Sequence, residues 1–408
     1  MQFCVVGGGI LGLAAGRLLA LEHPDAEVTV LEKEPRVALH QTGHNSGVVH
    51  AGLYYEPGSL KARLCRRGVG LLRDYCEAHE IAYEACGKVL VATSDEELER
   101  LDAIRERAIA NGVPGIAILD EAGLREIEPH VRGVGALHSP ETAIVDYRAV
   151  SERLAQEIGE LGGAVRCGVE VVRVRDGRRP RVELRDGSAI ETDRVIVCAG
   201  LQSDRLARAS GESAAPRIVP FRGEYWALRS DRTELVRGLV YPVPDPSLPF
   251  LGVHLTKHID GSVLIGPNAV LTLSRESYER RGAVDAGDVR DVLGYGGSWR
   301  LFARHWRTGI DEVGRSLSAR LFVRAARRYV PELRREDVVP AVSGVRAQAV
   351  DRDGSLVDDF RVSGNDRVSW VRNAPSPAAT SSLAIAEELL SRLDLTSARS
   401  SAPAGDGA

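Results

Sequence analysis

Residues 2–12 read QFCVVGGGILG, an apolar run that passes into the glycine spacing G-x-G-x-x-G. The apolar residues 2–6 predict a short buried strand, and the apolar periodicity of residues 10–21 predicts a helix. The glycines therefore fall in the turn between a strand and a helix. In that context this spacing indicates a dinucleotide site rather than an ordinary glycine-rich turn.

Each glycine of the turn has its own physical purpose. Gly7 permits the tight turn, Gly9 lets the backbone approach a pyrophosphate, and Gly12 lets the helix pack closely on the sheet. Ile10 and Leu11 lie in the first helical turn, where N–H groups have no intrahelical partner and the helix dipole favours anions. We therefore predict that these five residues bind the phosphates of a dinucleotide.

A second strand follows the helix. Residues 27–32 read EVTVLE and predict a strand that ends at Glu32. A carboxylate about 20 residues beyond the glycines accepts hydrogen bonds from ribose hydroxyls, and Lys33 follows it directly. A strand, a helix and a second strand in this order predict a parallel sheet with a right-handed crossover. We therefore place Glu32 and Lys33 at the cofactor.

A later segment decides which dinucleotide is expected. Residues 194–206 read RVIVCAGLQSDRL and predict a strand that leads into Ala199 and Gly200, with a helix after them. This segment resembles the second dinucleotide-contacting strand of glutathione-reductase-type FAD proteins. Val171 lies in a stretch that resembles the place where the backbone of those proteins meets adenine. The resemblance implies FAD as the cofactor and a Rossmann-like fold of the glutathione-reductase type.

Length and composition exclude several classes of protein. The chain has 408 residues, 44% apolar and 27% charged, which is typical of a globular protein of roughly two to three domains. Its formal net charge of −4 gives no reason to expect nucleic acid as a partner. The six cysteines are scattered without metal-ligand spacing, so we expect neither disulfides nor a metal site. Only four of the 53 basic residues are lysines, namely Lys33, Lys61, Lys88 and Lys257.

The order of the patterns predicts two interleaved domains. Parallel α/β signals occur at both ends and in the middle of the chain, whereas strand patterns with proline-rich turns fill residues 216–270. We predict an α/β protein in which an FAD-binding Rossmann-like domain carries a second α+β substrate domain built on an antiparallel sheet. The predicted boundaries are 1–85, 141–215 and 335–395 for the FAD-binding domain, 86–140 and 216–334 for the substrate domain, and 396–408 for a disordered tail.

Further stretches resemble one family. They read QTGHNSGVVHAGLYY at 41–55, YPVP at 241–244 with FLGVHLT at 250–256, GPNA at 266–269, and SPAATSS at 376–382. Together they are similar to the L-2-hydroxyglutarate oxidase/dehydrogenase family of the D-amino-acid-oxidase-like FAD superfamily. The resemblance spans roughly residues 2–392. It implies oxidation of L-2-hydroxyglutarate to 2-oxoglutarate, with hydride transfer from C2 to flavin N5 and with oxygen or a quinone as the final electron acceptor.

The same resemblance implies two loops beside the flavin. Small and polar residues suit close approach and hydrogen bonding to the ring in the first loop, which contains Thr42, Gly43, Asn45, Ser46 and Gly47. The second loop leads into a helix that is predicted to begin near residue 379. Its N-terminal dipole would stabilise negative charge at the pyrimidine edge of the flavin. The residues expected to contact the cofactor there are Ala378, Ala379, Thr380 and Ser381.

Oxidation of a 2-hydroxy acid needs a base for the C2 hydroxyl, and imidazole titrates near working pH. His50 lies where related FAD glycerol-3-phosphate dehydrogenases carry an active-site histidine. His254 lies on a predicted strand inside a family motif. His44, in the first flavin loop, is a further candidate at the substrate. The choice between His50 and His254 as the base stays open at this point.

The carboxylates of the substrate need cations. Arg346, in the sequence SGVRA, resembles the active-site G-x-R arginine of the superfamily, and a guanidinium binds a carboxylate bidentately. Lys257 follows a family motif and is a candidate for the distal carboxylate; Arg222 is comparable. Tyr54 replaces an arginine of the glycerol-3-phosphate enzymes, which argues against phosphate as a ligand. Tyr241 belongs to a family motif, and we expect both tyrosines at the substrate.

Residues 300–335 contain ten arginines and three acidic residues. Such a run is usually a solvated face, and the alternative is a surface that docks on an anionic membrane to reach a quinone. We expect a cytoplasmic protein, with peripheral contact at the inner face of the cell membrane as the alternative; the oligomeric state stays open. Two other functions also stay open: an amine or amino-acid oxidase of the same superfamily, and a flavin-binding protein without catalysis.

Overall fold

The computed structural model describes residues 1–246, 251–279 and 282–393. The segment 396–408, expected to be a disordered tail, lies outside these residues. Within them the chain forms two large and two small β-sheets, with α-helices between the strands.

The strands are β1 (Gln2–Val6), β2 (Glu27–Leu31), β3 (Val48–Val49), β4 (Tyr83–Glu84), β5 (Lys88–Ala92), β6 (Ala117–Leu119), β7 (Gly135–Ser139), β8 (Ala143–Val145), β9 (Ala164–Arg166), β10 (Val171–Arg175), β11 (Arg181–Leu184), β12 (Ala189–Glu191), β13 (Arg194–Val197), β14 (Arg217–Leu228), β15 (Leu239–Pro242), β16 (His254–Lys257), β17 (Val263–Gly266), β18 (Val270–Leu271), β19 (Val338–Val350), β20 (Arg361–Gly364) and β21 (Val368–Asn373).

The helices are α1 (Ile10–Glu22), α2 (Leu60–Ala78), α3 (Asp95–Ala110), α4 (Glu121–Ile127), α5 (Tyr147–Glu160), α6 (Ser203–Ala209), α7 (Ala286–Leu293), α8 (Gly296–Leu317), α9 (Ala319–Ala326) and α10 (Ser382–Ser391). Short 3-10 helices occur at Gly200–Gln202, Ser230–Leu235 and Arg335–Asp337.

The first large sheet has the strand order β20-β21-β13-β1-β2-β9. All of its neighbours are parallel except β20 and β21. Helix α1 packs against α5 and α10 over the apolar face of this sheet. The antiparallel sheet β10-β11-β12 covers the other face with Val174 and Val182. Both faces are therefore buried, which suits the apolar sequence of β1 and β13.

The second large sheet has the order β18-β14-β17-β16-β15-β5-β7-β6, with β19 paired to β14. Its pairs are antiparallel apart from β15 with β5. A parallel pair requires a long connection, and a long stretch of chain does separate these two strands. Helix α9 packs Phe322 and Val323 against this sheet. The small sheet β3-β8-β4 completes the fold.

The α/β class is confirmed, with mixed sheets. The strand at 2–6 is confirmed, and the helix predicted over 10–21 is α1. The last helix begins at Ser382, whereas residues 378–381 form a turn in which the Ser381 N–H donates to the carbonyl of Pro377. The helix start expected near residue 379 is therefore about one turn too early. The division into an FAD-binding and a substrate domain stays a prediction.

Candidate active site

A cavity of about 1200 Å³ lies between the two large sheets. Val6, Leu31 and Cys198, at or just beyond the carboxyl ends of β1, β2 and β13, line one side. Strands β14, β15, β16 and β19 contribute side chains to the other side. The volume exceeds the roughly 300–1,000 Å³ that is usual for a small-ligand pocket. The cavity therefore has room for a large cofactor and a small substrate together.

Most residues predicted for the site line this cavity. They are Gly7, Gly9, Ile10, Leu11, Glu32, Lys33, Thr42, His44, Asn45, Ser46, His50, Val171, Ala199, Gly200, Tyr241, His254, Arg346, Ala378, Ala379 and Thr380. Those that do not line it are Gly12, Gly43, Gly47, Tyr54, Lys257 and Ser381.

The glycine turn is packed so closely that side chains would not fit. A Cβ atom at Gly7 would lie 2.3 Å from the carbonyl oxygen of Cys198, and one at Gly12 would lie 2.0 Å from the carbonyl oxygen of Gly7. The N–H of Gly8 donates to Oε2 of Glu32 at 2.7 Å. Gly12 thus acts through the packing of α1 on β1 and not by touching a ligand, while the turn holds Glu32 beside it.

The chemistry of this end of the cavity fits FAD. Helix α1 begins after Gly9, which has no side chain to cap it. Leu11 lies in the first turn, where an N–H has no intrahelical acceptor and can bind phosphate. The carboxylate of Glu32, just after β2, is an acceptor for ribose hydroxyls. Donors for phosphate and an acceptor for ribose are therefore available in the order that an extended dinucleotide requires.

Hydrogen bonds hold the first predicted flavin loop in shape. Oγ1 of Thr42 accepts from the N–H of Ile10 at 3.1 Å, and Nδ2 of Asn45 donates to the carbonyl of Thr42 at 2.8 Å. Oδ1 of Asn45 accepts from Gly47, whose φ is +69°. A Cβ atom at Gly43 would lie 2.4 Å from the carbonyl oxygen of Ala38. Gly43 and Gly47 thus permit the loop conformation, whereas Thr42 and Asn45 face the cavity.

Thr380 ties the second predicted loop to the first. Its Oγ1 accepts from the backbone N–H of His50 at 3.1 Å and shares a hydrogen bond of 3.0 Å with the hydroxyl of Tyr147. Tyr147 also donates to the carbonyl of Val48. Ser381 is buried behind this turn and does not reach the cavity. Two segments more than 300 residues apart in the chain therefore meet at one wall of the site.

His254, on β16, lines the cavity from the second large sheet. Its Nδ1 is 2.9 Å from the carbonyl oxygen of Gly252, which can only accept, so Nδ1 carries the proton and Nε2 keeps a lone pair. Its ring stacks on Tyr241 with 4.0 Å between centroids. The pKa of His254 is lowered to about 3, chiefly by burial; the bond to Gly252 opposes this shift, and the positive charges of Arg346 and Lys88 add to it. The free imidazole is therefore neutral.

His50 lies on the wall that the Thr380 turn forms. Its Nε2 is 3.2 Å from Oγ of Ser376. Burial, followed by the positive charges of Lys88 and Lys61, lowers the pKa of His50 well below its usual value. Both histidine candidates thus reach the same cavity, but Nε2 of His50 already has a hydroxyl partner.

Arg346 enters the cavity from β19, opposite Phe221 on β14. Its guanidinium bonds the hydroxyl of Tyr225, a neighbour on β14. Burial raises the pKa of Tyr225, while the charge of Arg346 opposes the shift. The predicted arginine therefore does lie in the cavity, on the same sheet as His254.

Two other predicted cations have carboxylate partners. Lys257 forms an ion pair with Glu84 at 2.5 Å and does not line the cavity. Arg222 pairs with the buried Glu224 at 2.8 Å. The structure therefore does not bring either of them to a substrate in the cavity.

His44 and Tyr54 border the site in different ways. His44 lines the cavity and stacks on Tyr278 with 3.9 Å between ring centroids. Tyr54 does not line the cavity; its ring lies beside the ammonium of Lys88, and burial raises the pKa of its hydroxyl.

Lys33 lines the cavity but pairs with Glu34 and Glu276, each at 2.7 Å. These two carboxylates lie close to His40 in a cluster that could hold a cation, and the Lys33 ammonium already supplies that charge.

Sequence reasoning did not find every residue of the site. Tyr225, Tyr147 and Ser376 line the cavity or bond its walls, and no local spacing marks them. Lys88 does carry a signal, because lysine is rare in this chain. Its position beside Tyr241 becomes visible only when β5 pairs with β15.

Comparisons with known proteins agree with this geometry. The family model described as FAD dependent oxidoreductase matches residues 2–392. The mitochondrial L-2-hydroxyglutarate dehydrogenase of Nematostella vectensis is 46% identical over 94% of this chain and 88% of its own length. The human mitochondrial enzyme of that name is 44% identical over 96% and 89%, and the Escherichia coli K12 one is 43% identical over 98% and 95%.

Solved structures share the fold. The L-α-glycerophosphate oxidase of Mycoplasma pneumoniae, with FAD bound, superposes with a TM-score of 0.77 at 20% identity over 96% of this chain and 94% of that one. The glycine oxidase of Geobacillus kaustophilus gives a TM-score of 0.69 at 19% identity over 97% and 96%.

Proposed function

Because this chain belongs to the FAD-dependent oxidoreductases and, within them, to the L-2-hydroxyglutarate dehydrogenase family, we propose that it oxidises L-2-hydroxyglutarate to 2-oxoglutarate. The observation that carries this proposal is the meeting of His254 and Arg346 in the cavity that the glycine turn also lines. An imidazole and a guanidinium are the groups that a 2-hydroxy acid requires: one removes the hydroxyl proton, and the other binds the carboxylate.

The cofactor would lie along the cavity from Glu32 to the Thr380 turn. The N–H groups at the start of α1 would bind its phosphates, and Glu32 its ribose. Val171 and Gly200 also line the cavity; from the resemblance, Val171 would border the adenine, and Gly200 would contact the dinucleotide after β13. When bound, FAD accepts the hydride that leaves C2 of the substrate. With this placement, the part of the chain around the first large sheet would be a Rossmann-like FAD-binding domain, and the part built on the second large sheet would be the substrate domain.

We assign the role of base to His254. Its Nδ1 proton is committed to the Gly252 carbonyl, so Nε2 is available to accept the C2 hydroxyl proton. A bound dianion would offset the positive charge around the ring and raise its pKa towards working pH. His50 would orient the wall of the site through Ser376 and Thr380.

We assign the C1 carboxylate to Arg346. A guanidinium offers two parallel N–H donors to a carboxylate, and the hydroxyl of Tyr225 holds this one in place. A carboxylate bound there would lie on the same sheet face as His254, with C2 between the arginine and the imidazole. The two groups thus position the substrate for loss of its hydroxyl proton.

Anaerobic titration of the purified holoenzyme tests the proposal. L-2-hydroxyglutarate should bleach the flavin absorbance and yield one 2-oxoglutarate per flavin, whereas the D-isomer should not. Bleaching by sarcosine or proline but not by L-2-hydroxyglutarate would instead identify an amine oxidase. A flavin that no substrate reduces would identify a binding protein without turnover.

We further propose that the reduced enzyme meets a quinone at a membrane surface. Helix α8 carries exposed apolar side chains on both sides of a kink at His305: Trp299 lies before it, and a row of Trp306, Ile310 and Val313 at helical spacing follows it, exposed by 56%, 56%, 62% and 47%. Exposed arginines flank this row at Arg300, Arg304 and Arg307. Tryptophan and arginine together suit the interface of an anionic bilayer. Within the described ranges, no helix is long and apolar enough to cross a bilayer.

Flotation with vesicles tests this surface. The protein should float with vesicles that contain phosphatidylglycerol and not with pure phosphatidylcholine, and the double variant Trp299→Ser, Trp306→Ser should lose flotation. Ile109→Ser, at another exposed apolar residue, is the matched control. Absence of flotation at low salt would contradict the proposal and leave oxygen as the acceptor to test.

A further inference from the structure

Among the residues that the structure describes, Lys88 is a buried cation without a carboxylate partner. It begins β5, and only 2% of its surface is exposed. Its ammonium nitrogen lies 4.2 Å from the ring centroid of Tyr241 and 6.0 Å from that of Tyr54. In the part of the chain that the structure describes, no carboxylate pairs with it. Burial of a charge without a partner is costly, which points to a purpose other than stability.

The other three lysines differ from Lys88 in this respect. Lys61 is also buried, but its ammonium lies 3.0 Å from a carboxylate oxygen of Asp358. Lys257 pairs with Glu84, and Lys33 pairs with two carboxylates. Lys88 instead has aromatic rings around it, which attract a cation more weakly than a carboxylate does. Its charge is therefore available to an anion that comes from outside the chain.

The order of the strands places Lys88 at the substrate. Arg346 lies on β19, His254 on β16 and Lys88 on β5, so the imidazole lies between the two cations across the sheet. The ring of Tyr241, on β15, lies between the ammonium of Lys88 and the imidazole of His254. It contacts the ammonium and stacks on the imidazole. Because Tyr241 lines the cavity and Lys88 does not, the ammonium lies behind this ring.

We propose that Lys88 is the counter-charge for the distal carboxylate of the substrate and determines the selectivity of this site for dicarboxylates. The inference rests on the proposed function and adds to it the group that recognises the second carboxylate. Arg346 and Lys88 then provide one positive charge for each carboxylate. At roughly 6 Å and an effective dielectric constant of about 20, such an attraction changes affinity by about 100-fold.

The protonation of Lys88 can be separated from that of its neighbours. Burial lowers its pKa to about 8. Burial raises the pKa of the nearby thiols to about 12 for Cys65 and about 11 for Cys86. The other titratable groups around it have pKa values raised above or lowered below their usual range by burial; they are Tyr54, Tyr241, His50 and His254. Between about pH 7 and pH 10, Lys88 is thus the group of this set that changes charge.

The experiment compares a dicarboxylate with a monocarboxylate of the same chain length. For the holoenzyme, KM and kcat are measured with L-2-hydroxyglutarate and with (S)-2-hydroxypentanoate, which lacks the distal carboxylate. Lys88→Met should raise KM for the first substrate about 10- to 100-fold with a small change in kcat, and should leave KM for the second within about threefold. Lys88→Arg should retain most of the preference for the dicarboxylate over the monocarboxylate. Lys61→Met, which removes the other buried and already paired ammonium, is the matched control and should retain it fully.

A second measurement needs neither turnover nor a variant. Binding of glutarate and of pentanoate to the wild-type holoenzyme is followed by the shift in flavin absorbance. The Kd of glutarate should rise above about pH 8, approaching tenfold per pH unit if only the protonated ammonium attracts it, while that of pentanoate stays flat. Unchanged selectivity in Lys88→Met overturns the proposal, as does a flat glutarate Kd up to about pH 10. If L-2-hydroxyglutarate does not reduce the wild-type flavin, the proposed function fails instead, and glutarate binding still decides the role of Lys88.

Discussion

Arg275 and Lys88 are both buried cations, and the protein surrounds them in opposite ways. Arg275 has 1% of its side chain exposed and lies within ion-pair distance of Asp204, Asp288 and Asp291, at 2.5, 3.3 and 3.6 Å. It also donates to the backbone carbonyl of Leu201. Lys88 has two aromatic rings and no carboxylate partner among the described residues.

The difference separates a structural charge from a functional one. The carboxylates around Arg275 belong to α6 and α7, so the cluster joins two parts of the chain that are distant in sequence. The carboxylates of the folded protein already neutralise the charge of Arg275, so it does not attract a ligand anion. The Lys88 ammonium gains a negative partner only when an anion binds. The free energy lost by burying this charge in the free protein is then recovered as affinity for the anion.

The largest effect is expected at Arg275. Arg275→Met leaves the buried carboxylate of Asp204 without its cation, while Asp288 and Asp291 keep Arg205. Removal of one member of a buried ion pair costs about 3–5 kcal/mol of unfolding free energy. Denaturant unfolding of the holoenzyme measures it. Arg67→Met, at an exposed arginine that pairs with Glu387, is the control and should cost less than about 1 kcal/mol. Equal losses for the two variants would remove the distinction between buried and exposed pairs.

The next effect concerns Arg346, the cation assigned to C1. Arg346→Ala should lower kcat/KM for L-2-hydroxyglutarate by a factor that corresponds to about 2–4 kcal/mol, because a desolvated carboxylate loses its bidentate partner. Steady-state kinetics measure it. The value of kcat/KM should fall by the same factor for the substrates with and without a distal carboxylate, since both carry the C1 carboxylate. A loss confined to the dicarboxylate would place Arg346 at the distal end and exchange the roles of the two cations.

A smaller effect of opposite sign is expected for stability at Lys88. The pKa shift from 10.5 to about 8 corresponds to a cost of roughly 3 kcal/mol, and contacts with aromatic rings return up to about 2 kcal/mol. Lys88→Met should therefore raise the unfolding free energy by about 1 kcal/mol at pH 7. The advantage should shrink as pH rises from 8 towards 10.5, because the wild-type lysine then loses its charge in the folded state. A large loss of stability in this variant would make Lys88 a structural cation like Arg275.

The smallest effect concerns the pH dependence of stability at His254. Its folded pKa is about 3, below the 6.5 of an unperturbed histidine, so the unfolded state binds the proton first as pH falls. Stability from this residue is complete above pH 6.5 and is lost below it, by at most about 1.4 kcal/mol per pH unit. As pH falls from 6.5 to 5.5, the unfolding free energy of His254→Gln should decrease by about 1 kcal/mol less than that of the wild type. Identical acid profiles for the two proteins would contradict a buried neutral imidazole.

Local spacing explains which parts of the site were predictable. The turn around Gly7 and the acid at Glu32 depend on steric rules that operate within about 30 residues. His254 was found because it lies in a motif of one family, and Arg346 because it resembles the active-site G-x-R arginine of the superfamily. Lys257 was proposed for the distal carboxylate from its position in the chain alone. The structure pairs it with Glu84, a residue far away in sequence that no local pattern connects to it.

The sequence by itself determined the first βαβ unit, the FAD cofactor and the family, because glycine sterics and strand periodicity act locally and the family motifs are continuous. Only the tertiary structure decided which cations reach the cavity. Lys88 and Tyr241 meet through the parallel pairing of β5 with β15, about 150 residues apart in the chain. Whether a buried charge has a partner depends on such long-range pairing. The sequence around Lys88 does not reveal that none of the described carboxylates pairs with it.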